Sequence, residues 1–310
     1  MKTIFGPINS RRFGSSLGID LSPSSKQCNY DCLYCELTPA ITTNIQTNIV
    51  DVKVIINELK THLDDKVDVI TLTANGEPTL YPHLDILIDE IDKIKNNTQT
   101  LILTNSATLV DDKIFNSLLK LDQVKLSLDG VSADVFKKID RPHVDINIDN
   151  IVKKVIEFSK AFKGKLFIEI LFVYGINDTK EEIKKLNDVL LSLHIERIDL
   201  GTIDRPPAYP VSGISYKELH NASLEFDSSL PIHIASRIHA EPNNAYYSNE
   251  DILNTLDKRP LTMDDINLLF DEDTKERLHV MINDSKIIKK TVGKLEFLIL
   301  HVNEARKRKK

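Results

Sequence analysis

Tryptophan is absent from this chain of 310 residues, glycine is scarce at 10, and cysteine occurs three times. The first two features, like the abundance of Lys, Asn and Ile, reflect codon bias rather than mechanism. The third decides most of the chemistry. No charge sign dominates: 40 Lys and Arg stand against 46 Asp and Glu, a net charge of −6. Five basic residues form the terminal run Arg306, Lys307, Arg308, Lys309 and Lys310, and 40 less those five leaves 35 against 46 in the body. A strongly basic nucleic-acid footprint is therefore lacking there, and any RNA or DNA contact is local. Long apolar runs are missing too. Val67 to Leu72 and Lys165 to Val173 fall far short of the roughly 20 residues of a membrane span, so nothing here spans a bilayer. The opening MKTIFGPINSRRFG lacks the apolar stretch of a secretory signal, and the expected location is the cytoplasm. With 41% hydrophobic and 28% charged positions, the chain can bury one large core and a small appendage, which excludes wholesale disorder.

All three cysteines, Cys28, Cys32 and Cys35, fall within eight residues, CNYDCLYC. An odd, tightly clustered set is a poor disulfide framework, because one thiol is always left over and a cytosol keeps thiols reduced. Metal ligation is the better reading. Three thiolates spaced CxxxCxxC can converge on one centre, yet three is one fewer than structural zinc or an ordinary four-iron cluster takes. Zinc would close its fourth position with Cys or His, but the loop contains no His and the first downstream is His62. A four-iron cluster on three cysteines keeps one iron open for a ligand from outside the protein, which favours iron-sulfur over zinc.

Apolar, β-branched runs alternate with stretches of helical period, the pattern of consecutive βα units. The strand candidates are Ser16 to Leu21, Val67 to Thr73, Thr100 to Thr104, Val124 to Asp129, Leu166 to Val173 and Ile195 to Gly201. Val52, Ile55, Ile56, Leu59 and Leu63 recur at helical spacing between the first two, and Leu84, Leu87, Ile88, Ile91 and Ile94 in the next interval. Polar motifs follow the strands in turn: the cysteine loop; Asn75, Gly76, Glu77 and Pro78; Asn105; Ser127 and Asp129; Asn177; then Arg205 with its two prolines. These are carboxyl ends, the edge on which parallel α/β folds build their sites, and a site drawing on so many strands suits a curled sheet. The expected class is α/β, an incomplete (βα)6 TIM-type barrel over residues 1–238. A turn-rich connector follows over 239–258. A small winged-helix-like unit is expected over 259–303, with Thr262 and Thr274 capping two helices ahead of a hairpin, and a basic tail over 304–310.

CxxxCxxC with the aromatic Tyr34 before the last cysteine resembles the radical S-adenosylmethionine (SAM) superfamily. The resemblance runs over roughly residues 4 to 210 and adds the Gly76-Glu77-Pro78 tripeptide and the partial barrel. More narrowly, GPINSRRFGSSLGIDL, NGEPTLYP, SLDG, the RPH of Arg141 to His143 and the RPP of Arg205 to Pro207 are similar to iron-sulfur oxidoreductases grouped with wybutosine-synthesising enzymes, whose bacterial members mostly lack an assigned reaction. The resemblance implies that Cys28, Cys32 and Cys35 hold three irons of one 4Fe-4S cluster while S-adenosylmethionine chelates the fourth. It implies that Glu77, on its turn with Gly76 and Pro78, helps hold the methionine amino group, that Tyr34 lies near the adenine, and that Asn105, Ser127 and Asp129 contact ribose or carboxylate. It implies reductive cleavage of S-adenosylmethionine to a 5′-deoxyadenosyl radical that abstracts hydrogen from substrate, a nucleoside in RNA or a protein side chain being the candidates. Wybutosine enzymes hold a second cluster through further cysteines, and eukaryotic ones carry a flavodoxin domain. This sequence has neither, which implies a separate reductant protein such as a flavodoxin or ferredoxin.

Plainer readings stand beside these. Gly76 to Pro78 alone is a common strand-to-helix turn, and Asn105, Ser127 and Asp129 are also ordinary strand-end caps. Arg11 and Arg12 suit an anionic substrate or surface acids equally. Arg205 shapes a rigid loop or meets substrate at the mouth. His143, His239 and the other histidines lack paired metal spacing. Between Arg259 and Leu300 seven basic residues meet eight acidic ones, which argues against strong phosphate contact there. The tail is a solvated run or a nonspecific RNA handle. The competing function is a non-enzymatic iron-sulfur sensor whose winged helix binds DNA; the tripeptide and six βα units favour the enzyme.

Overall fold

The computed structural model describes residues 2–10, 13–64, 66–234, 246–258, 260–292 and 295–301. Arg11, Arg12, His239, the 238/239 boundary and the basic tail fall outside them.

One eight-stranded sheet runs in strict sequence order: β1 (Ile4–Ser10), β2 (Gly14–Asp20), β3 (Val69–Thr73), β4 (Gln99–Thr104), β5 (Gln123–Ser127), β6 (Lys165–Phe172), β7 (Arg197–Thr202) and β8 (Ile232–Ile234). β1 and β2 form an antiparallel pair, and every later neighbour is parallel. Helical crossovers join the parallel strands: α1 (Val52–His62), α2 (Leu84–Asp92), α3 (Asp112–Leu118), α4 (Ala133–Ile139), α5 (Ile148–Ala161), α6 (Lys180–Leu190) and α7 (Tyr216–Ser223). Local chemistry sets their starts, since Asp51, Asp111, Asn147 and Thr179 each accept a backbone N–H of the first turn. This is an α/β partial barrel with two strands more than the sequence predicts. β1 escapes the sequence pattern because Gly6 and Pro7 interrupt its apolar run, and β8 is only three residues long.

Strand alternation gives the sheet two unlike faces. Leu17, Ile70, Ile102, Val124, Ile168 and Ile198 are fully buried in the main core. Their alternates Gly18, Thr71, Leu101, Lys125 and Glu169 line a cavity of about 950 Å³ on the concave side.

The carboxyl-terminal elements close one wall of that cavity. They are α8 (Asn249–Lys258), β9 (Leu261–Thr262), α9 (Met263–Leu269), α10 (Glu272–Asn283), β10 (Ile287–Val292) and β11 (Leu295–Leu300), with the strands in the order β10-β11-β9. Two expectations need correction. The segment expected as a connector contains the helix α8, because Ile252 and Leu256 are buried in a second core with Phe270 and Leu298. The second helix of the unit is capped by Asp271, which accepts the Thr274 N–H at 2.8 Å, while Thr274 itself is wholly buried. Ile8 of β1 belongs to this second core, and Tyr247 Oη donates to the Pro7 carbonyl at 2.6 Å. Among the described residues no helix is long and apolar enough to cross a membrane.

Gly18 makes the union of β1 with the lumen tolerable, since a Cβ there would lie 2.2 Å from the Phe5 ring. Gly18→Ala is therefore expected to cost about 1–3 kcal/mol in urea unfolding by overpacking; an unchanged midpoint would contradict this packing.

Candidate functional site

The cysteine loop leaves β2 and is gripped from three sides. On the first, Gln27 N donates to the Asn75 carbonyl at 3.0 Å and Glu77 N to the Gln27 carbonyl at 2.9 Å. Gly76 sits between them at φ +139°, and a Cβ there would lie 1.9 Å from the Gln27 carbonyl oxygen. Only glycine fits this backbone-to-backbone approach. On the second side, Asp31 N donates to the Asp140 carbonyl at 3.1 Å and Leu33 N to the Ile139 carbonyl at 2.9 Å, at the end of α4. On the third, Ala208 N, beyond β7, donates to the Cys35 carbonyl at 2.9 Å.

Cys28, Cys32 and Cys35 are free and partly buried. Cys28 Sγ accepts from Tyr30 N at 3.4 Å and lies 3.7 Å from Asn105 Nδ2, while Cys32 Sγ donates to Asp140 Oδ1 at 3.3 Å. Burial pushes the Cys28 thiol up to about 12, helped by the Glu77 carboxylate and opposed by the Tyr30 N–H and the Lys26 ammonium. Cys32 is raised well above its ordinary value, first by burial and then by Asp140. Cys35 is raised by burial against the pull of Lys26. Without a metal the chain holds all three as thiols; a bound cationic centre inverts that preference and takes them as thiolates. Among the described residues no three Cys, His, Asp or Glu side chains are grouped to hold a single metal ion. The donor set, three soft sulfurs with no His, suits iron-sulfur ligation.

Glu77 is 2% exposed and is turned into its own loop. Its Oε1 accepts from Thr79 N at 3.0 Å, Thr79 Oγ1 at 2.6 Å and Thr104 Oγ1 at 2.6 Å, and its Oε2 accepts from Asn105 N at 2.8 Å. Burial raises its pKa while these donors oppose the shift. The carboxylate expected to meet an amino group thus spends four hydrogen bonds tying the turn after β3 to the end of β4. It thereby aims Asn105, whose Nδ2 donates to Asn29 Oδ1 at 2.7 Å beside Cys28. Pro78 opens the single 3₁₀ turn that Glu77 caps.

Tyr34, Asn105, Ser127 and Asp129 come together, lining one small pocket with Tyr30 and Asp140; Gly76, Glu77 and Pro78 are not on its wall. Asp129 accepts from Tyr34 Oη and, at 2.6 Å, from Leu171 N. Burial raises its pKa to about 7, opposed by those two donors. Asp140, which burial and the Asp129 charge push well up, escaped the sequence reading; its one signal was its place directly before the RPH motif.

The larger cavity opens beside the same loop. Arg205 Nη1 donates to Glu36 Oε1 at 2.6 Å, joining the residue after Cys35 to the loop after β7, and both line the cavity. Deeper in, the buried Lys125 ammonium meets Glu169 and, at 3.3 Å, Asp199, which accepts from Arg197 Nε at 2.8 Å. This lumenal charge network was invisible in sequence, because a lysine alternating with apolar residues in a strand reads as solvent-facing. His143 is half-buried, and its backbone N donates to the Asn29 carbonyl at 2.8 Å.

A family model described as the Radical SAM superfamily matches residues 22–188. A UPF0026 protein of Helicobacter pylori (strain J99) is 37% identical over 298 residues, 95% of this chain and 96% of its own length. Among solved structures, that of TYW1 with a lysine-pyruvate adduct bound is similar with a TM-score of 0.52 at 18% identity, over 69% of this chain and 74% of that one. A radical SAM methyltransferase from Sphaerobacter thermophilus is similar with a TM-score of 0.56 at 14% identity, over 72% and 67%. These two likenesses concern the fold.

Glu77→Ala strands four donors around a buried site and is expected to lower stability by about 3 kcal/mol in urea unfolding. A loss of less than about 0.5 kcal/mol, the level of a neutral surface change, would contradict the role given to this carboxylate.

Proposed function

The chain belongs to the radical SAM superfamily, whose members use a 4Fe-4S cluster and S-adenosylmethionine, and from that premise we propose that Cys28, Cys32 and Cys35 hold the cluster of an oxidoreductase-type enzyme acting on a substrate in the lumen. The observation that carries this reading is the set of three unbridged thiols gripped at the carboxyl edge of the sheet beside a cavity of about 950 Å³. When bound, the cluster and S-adenosylmethionine supply one-electron cleavage of the sulfonium C5′–S bond, giving methionine and a 5′-deoxyadenosyl radical that takes a hydrogen atom from substrate.

The chain's own residues position and enclose. Gly76 and Glu77 fix the loop that carries Cys28. Tyr34, Asn105, Ser127 and Asp129, with Tyr34 and Asp129 locked to each other, enclose a space of only about 10 Å³, so on this reading they support the cysteine loop from behind and the adenosyl moiety takes its place in the larger cavity. The Arg205–Glu36 pair and the carboxyl-terminal elements wall the lumen on two sides, which suits a reaction that needs water held back. A chamber of this size admits one nucleoside of an RNA or one protein side chain beside the cofactor. A sensor has no use for such a chamber, which supports catalysis over DNA-linked sensing. The carboxyl-terminal helices and hairpin act, on this reading, as cavity wall. These 310 residues contain no cysteine beyond the three and so hold no second thiolate-held cluster; on this reading the electron is delivered by a reductant protein such as a flavodoxin or ferredoxin.

Anaerobic reconstitution is expected to give about four irons per chain and, with S-adenosylmethionine and a strong chemical reductant, 5′-deoxyadenosine. Cys32→Ala is expected to lose both. Binding of one zinc and no iron, or an iron-loaded protein that yields no 5′-deoxyadenosine, would overturn the proposal.

A further inference from the structure

Between Leu21 and Val50 the chain carries one basic side chain, Lys26, two residues before Cys28. Its backbone is pinned on both sides. The Ser25 carbonyl accepts from Ser22 Oγ at 2.8 Å, and the Gln27 side-chain amide donates to Ser22 Oγ at 3.1 Å and to the Thr47 carbonyl at 2.8 Å. The Lys26 side chain is equally restricted: it is 8% exposed, lies on the cavity wall and places Nζ 3.3 Å from Asp31 Oδ1. Lysine is almost never buried this deeply unless its charge is answered.

Asp31 answers only part of it. The same carboxylate accepts from Tyr209 Oη and meets Arg141 Nη2 at 3.5 Å, while the Arg141 guanidinium stacks 4.6 Å from the centre of the Tyr209 ring. One carboxylate is thus shared between two cations, and this corner of the cysteine loop keeps a positive excess. Arg141 has water to turn to, with 43% of its side chain exposed. Lys26 has Cys35 instead. There its ammonium is the strongest influence set against burial, through its charge and a hydrogen bond to the sulfur. Burial opposes the ammonium itself, but Cys35, Asp31 and Cys28 outweigh burial and raise its pKa, so Lys26 stays charged. The carboxyl groups that bear most on the three sulfurs are Glu77, Asp140, Asp129 and Glu36, which leaves Lys26 as the cation in that company.

Resting on the function proposed above, we propose that Lys26 sets the reduction potential of the centre held by Cys28, Cys32 and Cys35, its buried ammonium favouring the reduced state. A four-iron core is cationic when bare, but together with three thiolates it is anionic, and one electron adds to that charge. A fixed ammonium at short range favours the more negative state, and does so more strongly where little water screens it. The electron comes from the reductant protein; no bond forms or breaks, and the ammonium keeps its proton. Asp31 is a positioning residue: it holds Lys26 beside Cys35, while its other two partners limit how far it cancels the ammonium. Lys26 thereby lowers the driving force demanded of the reductant before S-adenosylmethionine is cleaved.

The test is a redox titration followed by electron paramagnetic resonance on the reconstituted full-length protein. The parent is compared with Lys26→Met, Lys26→Gln and Lys26→Arg, each with and without S-adenosylmethionine. Methionine is a flexible apolar filler without the charge, and Asp31 keeps Tyr209 and Arg141, so the iron content is expected to stay at about four per chain. In Lys26→Met and Lys26→Gln the reduction equilibrium is expected to weaken about tenfold or more, a midpoint about 59 mV more negative for a one-electron couple. Lys26→Arg keeps the charge and is expected to restore most of that loss. A parent-like midpoint in both neutral variants would overturn the proposal. An arginine variant displaced as far as the neutral ones would do the same, by assigning the effect to the shape of lysine and not to its charge. Parent-like midpoints with loss of the signal change on adding S-adenosylmethionine would make Lys26 a cofactor contact, and failure of both neutral variants to hold four irons would make it an assembly residue; either result overturns the proposal. A parent that takes up no four-iron centre would overturn the function reading itself, a failure seen before any variant is compared.

Discussion

The absence of a side chain at position 76 is the constraint on which the site depends. Gly76 lets the turn after β3 lie directly against Gln27, one residue before the first cysteine, at a separation where any Cβ would strike the carbonyl oxygen. That contact converts a long excursion between β2 and α1 into a loop with a fixed start. Glu77 then carries the constraint sideways, since its buried carboxylate ties the same turn to Thr104 and Asn105. The remaining grips, from the end of α4 and from the loop after β7, fix the middle and the end of the cysteine loop. Grips from three separate places along the sheet thus converge on the loop from Gln27 to Cys35.

The electrostatics of that convergence are one-sided. Burial raises all three thiols and the carboxyls of Glu77, Asp129 and Asp140. Lys26, which pairs with Asp31 at 3.3 Å, is the cation that pulls against the shifts at Cys28 and Cys35. A site poor in positive charge and rich in groups that prefer to be protonated is matched to a cationic inorganic centre, which supplies the missing charge when it binds. The lumen solves the opposite problem differently: Lys125, Glu169, Arg197 and Asp199 neutralise one another within the protein.

Much of this was legible in sequence, and the failures have physical causes. Strands β2 to β7 were readable because their β-branched runs alternate with helical periods. β1 was not, because Gly6 and Pro7 break its pattern, and α8 was not, because Ile252, Leu253 and Leu256 are few apolar positions in a polar segment. The cysteines and Gly76 were readable because their chemistry depends on residue type and local spacing. The listing of Tyr34 with Asn105, Ser127 and Asp129 came from the family resemblance, the last three being readable from the sequence itself as strand-end residues. The actual work of Glu77 was not legible, since residue type does not reveal that Thr79, Thr104 and Asn105 claim its oxygens. Nor was Lys125, because inward and outward alternation in a strand look the same until the sheet curls.

The account stands or falls on three sulfur ligands leaving one metal atom for a small molecule. Electron-nuclear double resonance on the reduced, reconstituted protein tests this most directly, with S-adenosylmethionine carrying magnetic isotopes in its amino nitrogen and carboxylate oxygens. The account expects hyperfine coupling from both labels to the cluster. A cluster signal that is identical with labelled and unlabelled cofactor would contradict it.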